Sequence, residues 1–389
     1  MSEFKNIWRK RVMLVMGYYE RQRHMGIAHY ARQAGWEVNS WMCHTGQIMR
    51  DWKCDGIISL HGGGFHDEIV EFIKEKGVPA VDTSVQCEKY PTPVVRFNDS
   101  KIGKIAAEHF VERGFQNIYF VSYENGTIEN MRYAAFKEHL NSLNRDCQKI
   151  DLTAMQHWHH PPEEYMCKFA DIIDELPKPC AIFVENDRKA YEVCVSCHAK
   201  GISIPEQVAV LGTDNDEIFA LSSPVPFSTI DGDLFASGYQ AAKLLDKMMN
   251  GIDIPKQTFC VEPKGLIVRQ GTDILAIPHK PTATALKFIW NNYYRQIGIS
   301  DVADAAGISR QHLHKLFKIH LGRSMHDELT AVRLKNVRKL LSTTDMKLES
   351  IAFKTGFASG DRLGKVFRKF EGMTPATYRK KVKNTPDDK

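Results

Sequence analysis

No apolar run approaches the roughly 18–20 residues that a helix needs to cross a bilayer, which excludes a helical spanning protein. The run Arg11–Met16 is too short for the core of an export signal and reads better as a first β-strand, so a cytoplasmic protein is expected. The nine cysteines are scattered and odd in number, which argues against a disulfide framework and for reducing surroundings. Enzyme signatures are also missing. His61, Gly62, Gly63 and Gly64 imitate a lipase oxyanion loop, but no G-x-S-x-G elbow accompanies them. Neither G-x-x-x-x-G-K-[ST] nor G-x-G-x-x-G occurs. No constellation supports catalysis, and no cofactor or metal is called for.

What is present is the balance of a soluble globular chain, 43% hydrophobic and 25% charged, whose 389 residues suffice for two or three domains. The net charge of +5 conceals a division. Residues 281–389 hold 21 Lys+Arg against 10 Asp+Glu, a balance of +11, which leaves −6 for residues 1–280. An acidic body with a basic tail suggests that the tail alone meets a polyanion such as nucleic acid.

Through residues 10–275 short apolar strands alternate with amphipathic helices. Strands are expected at Arg11–Met16, Gly56–Leu60, Ala80–Asp82, Asn117–Val121, Ala181–Val184 and Val208–Gly212. Helices are expected at Arg21–Ala34, Asp67–Glu75, Ile102–Arg113, Met131–Leu143 and Lys189–Lys200. This alternation marks parallel doubly wound α/β sheets, and its length calls for two lobes. Ligands of such sheets sit beyond the carboxyl ends of the strands. There the sequence offers Tyr18, Tyr19, Glu20 and Arg21 after one strand, Asp82 after another, and Asn186 and Asp214 after two more. Carboxylates, amides and arginine forks suit vicinal hydroxyls, and an aromatic face suits the C–H side of a sugar ring. The competing reading is that such Asp and Asn residues merely cap the following helices.

Residues 273–283 read as a linker between a body at 1–272 and a wholly helical domain at 284–389. In that domain Ser300 is placed to cap a helix that ends at Gly307. Ser309 then caps a second, with Leu313, Leu316 and Phe317 on one face and Arg310, Gln311, His314, Lys315 and Lys318 on the other. The same order recurs at 348–367, with Gly356, a cap at Ser359, and Asp361, Arg362, Lys365 and Arg368 on the outward face. Two helix-turn-helix units in a basic helical tail are far more specific than one.

On these residues the tail resembles the AraC-type DNA-binding domain. Further landmarks are Gly322, Arg333, Ile351, Ala352, Phe357, Phe367, Gly372, Pro375 and Tyr378, with Leu363 and Val337 replacing an aromatic and an alanine. The resemblance implies base contacts through Gln311, His314 and Lys315 with Arg310 near phosphate, and through Ser359, Asp361, Arg362 and Lys365. Gly360 and Gly364 suggest less base readout by the second helix.

The body is similar, more loosely, to the periplasmic-binding-type ligand domain of LacI-family repressors, through Gly103, His109, Arg132, Asn186, Asp187, Gly212, Asp214, Thr229 and Arg269. An LacI-like body on an AraC-like tail resembles the xylose operon regulators. That resemblance implies a transcription regulator acting on a double-stranded DNA operator, with D-xylose or a related aldose as effector. It further implies a homodimer, and RNA polymerase as a possible partner. Arg132, Asn186 and Asp214 would contact the sugar, with Asp82 and Asp99 as weaker candidates, and lobe closure would change how two tails meet DNA.

Two other readings compete. A cytoplasmic sugar enzyme on a two-lobed body leaves the basic tail unexplained, and a nucleoid-type binder would show no ligand and little sequence preference. Cys194, Cys197 and His198 fit a c-type haem pattern but sit inside an expected helix, and His157, His159 and His160 read as an exposed loop rather than a metal site.

Overall fold

The computed structural model describes residues 10–61, 65–84, 90–122, 127–152, 162–277 and 279–383. Compact units divide the chain between Ile274 and Leu275, with the short stretch Glu112–Gly114 grouped with the second unit.

The first unit contains two six-stranded sheets. In chain order the strands are β1 (Lys10–Met16), β2 (Trp36–Asn39), β3 (Gly56–Leu60), β4 (Ala80–Asp82), β5 (Val94–Phe97), β6 (Asn117–Ser122), β7 (Gln148–Asp151), β8 (Cys180–Val184), β9 (Val208–Thr213), β10 (Ser228–Asp231), β11 (Thr258–Val261) and β12 (Gly265–Ile267). One sheet runs β11-β5-β4-β3-β1-β2 and the other β12-β10-β9-β8-β6-β7. Every pairing is parallel except β10 with β12. Parallel strands covered on both faces lose the polar–apolar alternation, and β3 and β8 are accordingly buried at every position.

The chain crosses between sheets three times, after β5, β10 and β11, so neither lobe is one continuous segment. On the first lobe, helices Arg21–Ala34 and Leu234–Met249 pack backbone to backbone. A Cβ on Gly26 would lie 2.0 Å from the Phe235 carbonyl oxygen, and one on Gly238 would lie 2.0 Å from that of Arg23. Only glycine permits this approach, and it sets Arg23 firmly in the first lobe.

All six expected strands form, each within a residue of its bounds, and so does the Arg21–Ala34 helix, stopped by Gly35 at φ 68°. The sequence reading missed β2, β5, β7, β10, β11 and β12. They are short, and Gln148–Asp151 has no apolar run at all. Two other expectations need correction. A helix occupies Lys280–Asn292, so the proposed linker at 273–283 is helical in its last residues, with Pro281 in the first turn where its missing N–H costs nothing. Ser300 is not a cap, because the helix Ile299–Ala306 begins after Gly298, whose N–H donates to the Asp301 carboxylate at 2.7 Å.

The second unit has two separate apolar cores. Ala285, Leu286, Ile289, Val302, Ala303, Leu313, Phe317, Met325 and Leu329 form one. Leu334, Val337, Leu341, Ile351, Ala352, Phe357, Leu363 and Phe367 form the other. The helix Met325–Thr343 serves both, its first half in one core and its second half in the other. Leu363 and Val337, the two departures from the AraC pattern, are fully buried.

Candidate functional site

At the carboxyl ends of β1, β5, β8 and β9, charged side chains from both lobes converge. Arg23, in the first turn after β1, bonds the Glu20 carboxylate and donates through Nη1 to the Thr83 carbonyl at 3.0 Å and to Ser237 Oγ at 2.8 Å. Burial works against its charge, but Glu20, Tyr18 and Asp214 raise its pKa on balance. Asp99 begins the helix Asp99–Glu112, where the helix dipole favours a carboxylate. Its Oδ1 accepts Arg132 Nε at 2.8 Å and is ion-paired with Nη2 of the same guanidinium at 2.8 Å, and its Oδ2 accepts Arg96. Arg132 Nη1 donates to the Glu185 carbonyl. These contacts do not exhaust the five donors of a guanidinium.

Asp214 follows β9 with φ at 108°, a backbone region that residues with a Cβ enter at a cost and that is concentrated at functional sites. No hydrogen bond to its side chain is found among the described residues. Burial, then Glu20 and Asp187, hold its carboxyl well above the usual range, with Arg132 and Arg23 opposing. Asp187 is fully buried. It accepts Thr229 Oγ1 at 2.6 Å and the Asp216 N–H at 2.8 Å, and burial pushes its pKa up to about 8.

The expected residues therefore part company. Glu20, Asp99, Arg132 and Asp214 come together. Asn186 instead caps the helix Asp187–Ala199, accepting the Lys189 N–H at 2.9 Å, so the capping reading describes what its oxygen does. Asp82 is buried and its oxygens are already engaged by Ser59, His61 and Ser84 at 2.6–2.9 Å, which makes it a brace under β3 and β4. Tyr18, Tyr19 and Arg21 are exposed beside the strand end, where the Tyr19 hydroxyl meets His24 Nδ1 at 3.2 Å.

Arg23 was missed, and Asp187 figured only as a landmark of the resemblance, not as a site residue. Arg23 stands three residues after Glu20, the spacing of a helical ion pair, and that signal was legible. Asp187 is fixed from across the sheet, since a Cβ on Gly212 would come within 2.2 Å of its Oδ1, and no local pattern announces this.

In the second unit, Ser309 caps Arg310–Leu321 by accepting the His312 N–H at 3.3 Å, with Leu313 and Phe317 buried. Arg310, Gln311, His314, Lys315 and Lys318 are all exposed. Ser359 caps Gly360–Glu371 by accepting the Arg362 N–H at 3.2 Å, so its acceptor is committed to the helix. Asp361, Arg362, Lys365 and Arg368 are exposed. The two glycines do not shorten this helix, which matches the first at 12 residues.

Of the set-aside signals, Cys194 and Cys197 are buried inside a helix, where burial raises both thiols, Cys194 to about 12, and leaves them inert. His157, His159 and His160, like Gly62–Gly64, lie outside the described residues. Among the described residues no His, Cys, Asp and Glu are grouped to hold a metal, and no helix is long and apolar enough to cross a membrane.

Comparison with known proteins decides between the readings. A periplasmic binding protein-like domain matches residues 107–272 and a helix-turn-helix domain matches 302–381. The chain is a transcription regulator built from these two domains. The regulator is 28% identical to the xylose operon regulatory protein of Escherichia coli K12, covering 93% of this chain and 94% of that one. It is 25% identical to that of Haemophilus influenzae, at 93% and 95% coverage. A solved xylose-binding transcription activator, XylR, aligns over 95% of the regulator and 97% of its own chain, with a TM-score of 0.57 and 25% identity. The enzyme reading falls, because these relatives are regulators that share the helix-turn-helix domain.

Proposed function

We propose that the regulator binds a monosaccharide, D-xylose or a related aldose, between its lobes and switches the affinity of its helix-turn-helix domain for a double-stranded DNA operator. It acts in the cytoplasm as a homodimer, with RNA polymerase as a further partner. The observation that carries the sugar reading is Asp214. Its carboxylate stands on a strained backbone, takes no hydrogen bond from the described residues, and interacts electrostatically with Arg23 and Glu20 of the first lobe and Arg132 and Asp187 of the second.

Such a carboxyl accepts a bond from a sugar hydroxyl, and Arg132 donates one with the donors left over from Asp99. A sugar held from both sides favours the closed arrangement only by its differential affinity for it. Closure then alters how two copies present their DNA-binding units. The xylose expectation comes from the relatives, two of which are named for a xylose operon.

Thermal unfolding of the full chain against a panel of aldopentoses and aldohexoses tests this. A sugar at 100 times its Kd stabilises the body by about 2.7 kcal/mol. The expected result is a shift with one pentose. No shift with any member moves the effector outside simple aldoses.

A further inference from the structure

The two helix-turn-helix units have separate cores, bridged by the single helix Met325–Thr343. One helix through two cores fixes their separation along its axis but leaves the angle about that axis to be set by something else. Arg333 lies between Val332, which packs at the edge of the first core beyond the buried Leu329, and Leu334, the first residue of the helix in the second.

Its guanidinium reaches both ways. Nε donates to the Tyr293 carbonyl at 2.9 Å and Nη2 to the Arg295 carbonyl at 2.7 Å, just past the end of helix Lys280–Asn292 in the first helix-turn-helix core. Carbonyls at a helix end lack intrahelical partners and favour a cation. The same guanidinium carbon lies 5.8 Å from the ring centroid of Phe357, in the second core.

Gly356 completes the arrangement. At φ 78° it makes the turn of the second unit, and a Cβ there would stand 2.2 Å from the Tyr293 oxygen and 2.9 Å from Arg333 Nε. Gly307, its counterpart in the first helix-turn-helix, has a similar φ of 68° but open space around the position of a Cβ. Turn conformation therefore accounts for Gly307, whereas Gly356 is also required by contact with the other unit.

We infer that Arg333 and Gly356 form a seam that fixes the angle between the two recognition helices, and so the spacing of the two DNA elements that the regulator reads together. Arg333 is a positioning residue, since nothing here places it on DNA. The inference rests on the DNA-binding reading of the tail. Two helices must enter successive major grooves together, so a rotated pair satisfies one groove at a time.

The test uses duplexes selected by the full-length wild-type chain from a random-sequence library, then remade with one base pair added or removed between the two contacted elements. Wild type is expected to lose about tenfold or more in affinity with the altered spacing, a loss of 1.4 kcal/mol or more. Arg333→Met is expected to bind the two spacings within about threefold of each other while keeping its affinity for a single element within about twofold. Arg333→Lys, which keeps the charge but cannot span both carbonyls, is expected to behave like Arg333→Met. Gly356→Ala, if it folds by circular dichroism, is expected to show the same loss of discrimination. The Arg333 variants decide the matter if it does not.

Retained spacing discrimination in Arg333→Met overturns the seam. An equal loss for single and paired elements also overturns it, because that outcome marks a merely structural residue. If wild type selects no sequence at all, the DNA-binding reading falls and takes the seam with it.

Discussion

Asp187 and Asp214 are carboxyls held in a place that disfavours their charge, and the sign of their effect on stability follows. A carboxyl with a raised folded-state pKa binds its proton more tightly in the native state, so its stabilisation is present at low pH and is lost as pH rises through the folded value. For Asp187 that window runs from the ordinary carboxylate range to about 8. Asp187→Asn should flatten the decline in Tm of the body across that window, measured by melts at several pH values, and an unchanged slope would assign the decline to other groups. Asp214→Asn should raise Tm at neutral pH, by removing a carboxyl whose ionised form this site disfavours, yet reduce the shift produced by sugar. Arg132→Ala should abolish the sugar shift and destabilise the body by about 3–5 kcal/mol, since it leaves a buried Asp99 without one partner of its ion pair. A sugar shift of normal size in that variant would remove Arg132 from the site. At this scale the sequence was partly legible. Glu20 and Asp214 stood out as charged residues after strands, while Arg132 and Asp99 came only with the family resemblance, but whether a given oxygen faces a ligand, a helix end or a brace is decided by neighbours from distant strands. Asp82 and Asn186 have the same composition signal as Asp214 and different partners.

Among elements, the helix Gly360–Glu371 holds two glycines that the sequence could not tell apart. Gly360 is buried, donates its N–H to Glu349 Oε2 at 2.8 Å, and would bring a Cβ within 2.5 Å of that oxygen. Gly364 has nothing near the position of a Cβ. Gly364→Ala should therefore stabilise the tail by about 0.5–1 kcal/mol through helix propensity, whereas Gly360→Ala should destabilise it. Circular dichroism melts of both variants check the contrast, and equal effects would refute it. On the helix Arg310–Leu321, Lys315→Ala should weaken binding to a selected duplex by about 1–3 kcal/mol if Lys315 reads a base, and uniformly across sequences if it touches phosphate. Helices and caps were readable here because Gly307, Ser309, Gly356 and Ser359 punctuate them locally. Ser300 misled because Asp301 reaches back to Gly298, a capping pattern that needs no hydroxyl at all.

For the whole molecule, charge divides the chain at residue 280, and the compact units divide it between Ile274 and Leu275, with Glu112–Gly114 grouped with the second. The strand–helix rhythm announced the parallel sheets but not their order, because crossing points leave no residue-level mark. β5, β11 and β12 have three or four residues each and lie beside the crossings, too short for their apolar pattern to declare a period.

Those crossings have a consequence for how the chain is made. The first lobe needs residues 10–97 together with helix Leu234–Met249 and β11, so its sheet stays one strand short until Val261 has been synthesised. The second lobe, apart from β12, is complete by Asp231 and is free to fold earlier. A growing chain thus carries its amino-terminal strands unfinished through most of translation, with β5 an open edge awaiting its neighbour. The helical tail, whose cores draw on residues from 277 onward, emerges after both sheets have become whole. A ribosome that stalls between 231 and 261 would release a nascent chain exposing that edge, and such chains are the species that chaperones and proteases would meet first.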